Sequence, residues 1–118
     1  MKKILIIDDN EDILDSLSIL LEDQGYVIST FTKGEDAVKK AFVFSPDLII
    51  LDLLLSGKDG CDIVKLLRKF RTTKKIPIIM MSAHPSAEKS AKNCGADDFL
   101  AKPFDIDELL GVVRKYSK

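Results

Sequence analysis

The residues of this sequence that could do chemistry together lie at the ends of short apolar runs, which typically form buried strands. They comprise three carboxylates, a hydroxyl and an ammonium, namely Asp8, Asp9, Asp52, Ser82 and Lys102. A single aspartate after a strand is usually a turn residue or a helix cap. Five such groups at one edge of a sheet would instead supply the parts of a phosphoryl-transfer site.

The three carboxylates would repel one another if the fold brought them together. Two carboxylates about 4 Å apart repel by roughly 4 kcal/mol at an effective dielectric near 20. A raised pKa or a bound cation has to compensate for this repulsion. A small set of oxygen ligands favours Mg²⁺, which also binds phosphate oxygens, and Lys102 would add a positive charge suited to phosphate. The set therefore predicts phosphoryl transfer to an aspartate nucleophile with Mg²⁺.

Strand and helix signals alternate along the whole chain. Short runs rich in apolar and β-branched residues predict strands over 4–7, 26–31, 48–51, 76–81 and 99–101. Helical signals, mainly apolar residues at helical spacing, predict helices over 12–21, 34–44, 61–70 and 86–94. A last helix is predicted after its N-cap Asp105, with apolar residues at 106, 109, 110, 112 and 113, and it ends close to Lys118. This alternation predicts a parallel sheet with helices on both faces. Sites in such sheets form at the carboxyl ends of the strands.

Length, charge and hydropathy exclude several classes of protein. The 118 residues suit one domain, and 18 Lys+Arg against 19 Asp+Glu exclude a strongly basic nucleic-acid binder. The apolar run at 4–7 is too short for a signal peptide, and no run is long enough to span a bilayer. We therefore expect a cytoplasmic protein in which Cys61 and Cys94 are inert, buried thiols.

Five motifs, taken in their order and spacing, resemble those of response regulator receiver domains. They are Asp8-Asp9, the run 46–52 that ends in Asp52, Gly57-Lys58-Asp59-Gly60, Met81-Ser82-Ala83, and the run 95–104 that contains Lys102-Pro103. The resemblance covers essentially the whole chain and implies one receiver domain over 1–118. It implies the flavodoxin-like fold, a doubly wound (βα)5 three-layer sandwich with a five-stranded parallel sheet in the order 2-1-3-4-5.

The resemblance also implies the roles of the polar residues. Asp52 would be the phosphoacceptor, and Ser82 and Lys102 would contact the phosphoryl group. The implied Mg²⁺ ligands are Asp8, Asp9, Asp52 and the backbone carbonyl of Leu54.

Further implied roles concern switching and the lifetime of the phosphate. Phe99 matches the switch aromatic, and the Lys102-Pro103 peptide is expected to be cis. Leu54 and His84 occupy the two positions that tune how long the phosphate survives. Because Leu54 is bulky and apolar, we predict slow self-dephosphorylation.

The implied function is that of a phosphoacceptor module in a two-component system or phosphorelay. Such a module catalyses only its own phosphorylation and dephosphorylation. The donor would be a phosphohistidine on a sensor histidine kinase or a histidine phosphotransfer protein. Phosphorylation would switch the surface of the fourth helix, fifth strand and fifth helix, and so control a downstream effector, an output domain outside this sequence, or a homodimer. Direct binding to nucleic acid or membrane is not expected.

Three alternatives belong to other functional classes. A phosphatase with an aspartate nucleophile would need a second aspartate two residues after the first, but residue 10 is Asn. A pseudo-receiver that has lost phosphorylation would lack part of the polar set, which is complete here. A flavin-binding module would need a phosphate loop after the first strand, where Asp8 and Asp9 would repel the phosphate.

The remaining aromatic and charged residues have structural interpretations. We expect Phe42, Phe44 and Phe70 to lie in the core. The basic run 68–71 is interpreted as a solvated helix end, favoured by the helix dipole. Asp97 and Asp98 are interpreted either as a capping turn or as partners of basic residues such as Lys89, Lys92 or Arg114.

Overall fold

The central sheet has five parallel strands, which we number along the chain. They are β1 (Lys3–Ile7), β2 (Val27–Phe31), β3 (Leu48–Asp52), β4 (Ile78–Ser82) and β5 (Asp98–Ala101). Their order in the sheet is β2-β1-β3-β4-β5, and each neighbouring pair is parallel. This computed structural model describes residues 2–55, 58–84 and 86–117. The predicted fold class and strand order are confirmed.

A helix follows each strand of the sheet. The helices are α1 (Glu11–Asp23), α2 (Ala37–Phe44), α3 (Gly60–Lys69), α4 (Ala87–Asn93) and α5 (Ile106–Tyr116). A 3₁₀ turn, Gly34–Asp36, precedes α2, and Leu54–Leu55 pairs antiparallel with Lys58–Asp59 before α3. Asp105 caps α5 as predicted, in a capping box with Glu108.

Alternate residues of the strands face two separate hydrophobic clusters. Leu5 and Ile7 pack into the cluster that contains buried residues of α2, α3 and α4. Ile4 and Ile6 pack into the cluster that contains buried residues of α1 and α5. Both faces of the sheet are therefore covered, which gives the three layers and explains why these strands are continuous apolar runs.

Hydrogen bonds continue the sheet just beyond the ends of its strands. The backbone N–H of Asp8 donates to Phe31 O (3.1 Å), and that of Leu53 donates to Met81 O (2.8 Å). The N–H of Lys102 donates to Ser82 O (2.7 Å). Together with the register that pairs Ile7 of β1 with Leu51 of β3, these bonds align the carboxyl ends of the five strands, so residues that follow different strands meet at one edge.

Two of the three predicted core aromatics are exposed. Phe42 is 62% exposed and Phe70 is 48% exposed, whereas Phe44 is partly buried against the core. Helix α2 buries the small residues Ala37 and Ala41. Phe42 follows Ala41 by one residue, which turns it about 100° away from that buried stripe. Phe70 lies just after the last residue of α3, in an extended conformation.

The two cysteines form a disulfide, so the prediction of inert free thiols is wrong. The first turn of α3 and the residue after α4 bring the two Cα atoms to 5.5 Å, a separation that suits a disulfide. Their sequence separation of 33 residues gives no sign of this proximity.

Arg68 is not part of a solvated helix end. Its guanidinium donates to three backbone oxygens and one carboxylate, those of Lys74, Ile76, Gly95 and Asp97. Arg68 is therefore the cation that pairs with Asp97, at 2.8 Å, and Asp98 lies 3.7 Å from Lys115. Arg68 and Lys115 are not among the basic residues that the sequence suggested as partners of Asp97 and Asp98, which were Lys89, Lys92 and Arg114.

Candidate functional site

Three carboxylates meet at the carboxyl edge of the sheet. Oxygen atoms of Asp8, Asp9 and Asp52 all lie within 4.8 Å of one another. Asp8 and Asp52 are buried, and Asp9 is exposed. They come together because β1 and β3 are neighbours in register, so their ends lie side by side. The predicted cluster is thus present, and it offers only oxygen ligands, which suit Mg²⁺.

Lys102 reaches this cluster from the end of β5. Its Nζ atom lies 2.7 Å from Asp8 Oδ2 and 3.5 Å from Asp52 Oδ2. The peptide bond between Lys102 and Pro103 is cis. The lysine side chain is 17% exposed, so its charge acts in a partly dry environment where electrostatic interactions are strong.

The backbone of the first loop fixes Asp8 further. The N–H of Asn10 donates to Asp8 Oδ1 at 2.9 Å, while Lys102 occupies Oδ2. Asn10 also caps α1, because its side-chain oxygen accepts from the N–H groups of Asp12 and Ile13. Asp8 is therefore held through both oxygens, and the start of α1 is tied to the site.

The pKa of Asp52 is raised above its usual value of 3.8. Burial is the main cause, and the neighbouring carboxylate of Asp8 raises the pKa further. Lys102 and the backbone N–H of Leu54 lower it, but they do not cancel the rise. Because Lys102 alone does not compensate for the crowded carboxylates, the site is suited to an additional cation.

Gly60 closes the loop that follows Asp52. Its N–H donates to Leu53 O at 2.6 Å. A Cβ atom on residue 60 would lie 2.7 Å from the carbonyl oxygen of Asp52 and 2.8 Å from Leu53 Cα. No larger residue fits this approach without movement of the strand end. Gly60 belongs to one of the sequence motifs, but the motif did not indicate this close approach to the site.

Ser82 lies one position beyond the residue that pairs with Asp52. The register of β3 and β4 pairs Asp52 with Met81. Ser82 is 2% exposed, and its Oγ accepts from the N–H of His84 at 3.1 Å. Its hydroxyl proton can still turn towards a new acceptor.

The other predicted residues lie around this edge. The side chain of Leu54 is 58% exposed, and His84 is also exposed. Phe99 is partly buried and packs against the cluster that contains residues of α4. Gly57, which belongs to one of the motifs, lies outside the described residues.

Comparison with known proteins identifies this arrangement. The profile of the response regulator receiver domain family matches residues 4–114. The chain belongs to this family. Receiver domains are modules of two-component signal transduction, and the acidic pocket of this one is compatible with Mg²⁺ and phosphorylation.

Relatives of known sequence and structure agree with this assignment. The chain is 40% identical over 116 residues to the DNA-binding dual master transcriptional regulator RpaA of Synechocystis, covering 97% of this chain and 48% of that protein. It is 34% identical to the chemotaxis response regulator CheY4 of Vibrio cholerae, with a TM-score of 0.91 and 98% of both chains covered. The response regulator TrrA of Thermotoga maritima, solved in complex with Mg²⁺-BeF, is 35% identical with a TM-score of 0.89, covering 98% of this chain and 99% of that one.

Two further observations concern the extent and setting of this receiver domain. The chain spans about half the length of the curated relatives that it matches. Across residues 2–55, 58–84 and 86–117, none of the helices has the length and hydropathy that crossing a membrane would require.

Proposed function

We propose that this receiver domain takes a phosphoryl group from a phosphohistidine onto Asp52, with Mg²⁺ held by Asp8, Asp9, Asp52 and the backbone carbonyl of Leu54. The observation that carries this proposal is the meeting of three carboxylates within 4.8 Å, with Lys102 Nζ 3.5 Å from Asp52. Metal ligands, a nucleophile and a phosphate-binding cation are the parts that the reaction requires.

The proposed transfer exchanges one phosphorus bond for another. A carboxylate oxygen of Asp52 attacks phosphorus, and the bond between phosphorus and the imidazole nitrogen of the donor breaks. The bonding electrons leave with that nitrogen, and the product is an acyl phosphate. Asp52 must be ionised to attack, and bound Mg²⁺ supplies charge that favours this form and the phosphoryl oxygens.

Lys102 and Ser82 have the positions needed to hold the product. Lys102 already lies against Asp52, so a phosphoryl group there would give its ammonium new anionic acceptors. The hydroxyl of Ser82 accepts from His84 and retains its own proton for donation. We assign both residues to binding of the phosphoryl group.

These contacts supply enough free energy for a conformational switch. Moving a two-state equilibrium from 1:99 to 99:1 takes about 5.5 kcal/mol. Hydrogen bonds to charged groups contribute roughly 1.5–3 kcal/mol each, so two or three suffice. We infer that movement of Ser82 is coupled to Phe99 and changes the surface of α4, β5 and α5.

The proposed partners follow from this chemistry. The donor is a sensor histidine kinase or a histidine phosphotransfer protein. The switched surface controls a downstream effector, an output domain, or a phosphorylation-dependent homodimer. We place the domain in the cytoplasm, without direct contact to nucleic acid or membrane. Its catalysis is limited to its own phosphorylation and dephosphorylation.

Beryllofluoride tests the proposed site, because it can occupy the position of a phosphoryl group on a carboxylate. We expect beryllofluoride and Mg²⁺ together to raise the melting temperature of the wild type more than either alone. Lys102→Ala should lose this joint effect. Lys92→Ala is the matched control, because Lys92 is exposed and pairs with Glu88 on α4. Equal melting temperatures with and without beryllofluoride in the wild type would contradict the proposal.

A further inference from the structure

The disulfide between Cys61 and Cys94 joins the two helices that follow β3 and β4, the strands that end in Asp52 and Ser82. Cys61 is in the first turn of α3, and Cys94 directly follows α4. Both residues are partly buried and pack against the hydrophobic cluster of α2, α3 and α4. The bond is thus a covalent tie between α3 and the end of α4.

The α3 end of this tie is fixed to the acceptor strand. Residue 60 precedes Cys61, and its N–H donates to Leu53 O at 2.6 Å. The backbone at Gly60 approaches the carbonyl of Asp52 so closely that no side chain fits there. The carboxylate of Asp59 accepts from the N–H of Cys61 at 2.9 Å, which holds the first turn in place. Cys61 is therefore one residue away from a rigid contact with the strand that carries Asp52.

The side chains of α4 hold it weakly, although Arg68 of α3 also reaches the residue after Cys94, where its guanidinium donates to Gly95 O at 2.9 and 3.2 Å. Helix α4 has seven residues, and it buries only the small side chains of Ala87 and Ala91. Its remaining side chains are exposed, and the ion pair between Glu88 and Lys92 lies within the helix itself. Small buried side chains remove little apolar surface from water, so they hold a helix weakly. The disulfide is therefore the covalent one of two ties between α3 and the end of α4, beside the contacts of Arg68.

We propose that Cys61 and Cys94 are a reversible redox site whose disulfide holds α4 in the position seen here and whose reduction eases phosphorylation of Asp52. The second part rests on the proposed function, since it requires α4 to move when Asp52 is phosphorylated. In the cytoplasm, where we place this domain, disulfides are usually transient or redox-sensing. A reversible bond at this point would therefore couple the thiol redox state to the receiver switch.

The reductant is a dithiol, either a small molecule or a protein with a pair of thiols. One of its thiolates attacks a sulfur of the Cys61–Cys94 bond, which gives a mixed disulfide and releases the other cysteine. Its second thiol then displaces the remaining cysteine. Two electrons and two protons pass to the protein, and the dithiol leaves as a disulfide.

The test compares the oxidised and dithiothreitol-reduced forms of the full chain. Alkylation followed by intact mass measurement establishes the redox state of both cysteines. Amide hydrogen exchange of residues 87–93 and the Kd for beryllofluoride at fixed Mg²⁺ are then measured on each form. We expect reduction to speed exchange in α4 and to lower that Kd by about fivefold or more, the range of ordinary coupling between sites.

The double variant Cys61→Ser/Cys94→Ser is the matched control. It should match the reduced wild type under both conditions and show no response to dithiothreitol. Absence of the disulfide after oxidation, or equal exchange and equal Kd in the two forms, would overturn the proposal. If neither form binds beryllofluoride, the phosphoacceptor function and its coupling both fail, and the exchange of α4 alone decides whether the redox site holds the helix.

Discussion

The ammonium of Lys102 donates a hydrogen bond of 2.7 Å to Oδ2 of Asp8, a carboxylate that is only 1% exposed. This contact joins the end of the last strand to the end of the first. A buried carboxylate requires a charged or hydrogen-bonding partner, because desolvation penalises the ionised form. Lys102 therefore supports the folded state as well as the proposed chemistry.

Loss of the Lys102 charge should destabilise the domain. In metal-free buffer at pH 7, we expect Lys102→Ala to lower the free energy of unfolding by about 3 kcal/mol, because it leaves buried carboxylates unpaired. Urea denaturation measures this change. Lys92→Ala, at an exposed pair on α4, should behave like the wild type. An equally small effect for both variants would show that Lys102 does not support the site electrostatically.

The raised pKa of Asp52 predicts how stability depends on pH. The folded state binds a proton at Asp52 more tightly than the unfolded state does. The resulting stability is present below the unfolded value of 3.8 and is lost as pH rises through the folded pKa. With a chelator present, Asp52→Asn should therefore be more stable than the wild type at pH 7, and its advantage should shrink as the pH falls.

Magnesium provides the control for that comparison. Because the proposed site holds the ion through Asp52, saturating Mg²⁺ should reduce or reverse the advantage of Asp52→Asn. Thermal unfolding at several pH values, with and without Mg²⁺, measures both effects. A lower stability of Asp52→Asn than of the wild type at pH 7 in chelator would contradict this pH dependence.

Magnesium should stabilise the wild type through Asp9. At a concentration tenfold above its Kd, the ion should add about 1.4 kcal/mol to the free energy of unfolding. Asp9→Asn should lose most of this gain, since Asp9 supplies one of the three clustered carboxylates. Asp12→Asn removes a neighbouring exposed carboxylate outside the cluster and should retain the gain. Equal responses of these two variants to Mg²⁺ would show that Asp9 does not bind the ion.

Leu54 should prolong the life of the acyl phosphate. Its bulky side chain stands two residues after Asp52 and is 58% exposed, which leaves it available to shield the phosphate from water. We predict slow dephosphorylation of the wild type and faster loss of phosphate from Leu54→Asn. Val43→Asn, at an exposed apolar position of α2, serves as the control. A wild-type lifetime of seconds that Leu54→Asn leaves unchanged would refute this role.

Arg68 should contribute strongly to stability although it lies far along α3 from Cys61. Its guanidinium donates hydrogen bonds to the carbonyl oxygens of Lys74, Ile76 and Gly95 and to the carboxylate of Asp97. Removal of so many bonds at once should cost about 2–4 kcal/mol in urea unfolding. Lys69→Ala, at the exposed neighbouring position, should change stability by less than about 0.5 kcal/mol. Similar values for the two variants would contradict this assignment.

The sequence predicts the strands well because both faces of the sheet are covered. Runs such as Leu48–Leu51 are apolar at every position, which is typical of buried parallel strands. Residue periodicity does not indicate which strands are neighbours, so the strand order came from the family resemblance. Phe42 was misplaced because apolar spacing in a short helix does not distinguish the sheet-facing stripe from its flank, and the small residues Ala37 and Ala41 occupy that stripe.

The site was predictable where it depends on strand ends and not where it depends on tertiary contacts. Asp8, Asp9 and Asp52 follow from the rule that parallel strands place their carboxyl ends at one edge. The partners of Arg68 and the pairing of Cys61 with Cys94 depend on how α3 and α4 pack, which leaves no local pattern in the sequence. Gly60 is unusual in the sequence because it is a glycine at the start of a helix. Only the structure explains this choice, because a Cβ atom at residue 60 would collide with the carbonyl oxygen of Asp52.

The proposed function requires Asp52 to accept a phosphoryl group. Intact mass spectrometry after incubation with Mg²⁺ and acetyl phosphate, on the wild type and on Asp52→Asn, detects this modification. We expect one added phosphoryl group on the wild type and none on Asp52→Asn. A wild type that remains unmodified, or an Asp52→Asn protein that is modified to the same extent, would contradict the proposed function.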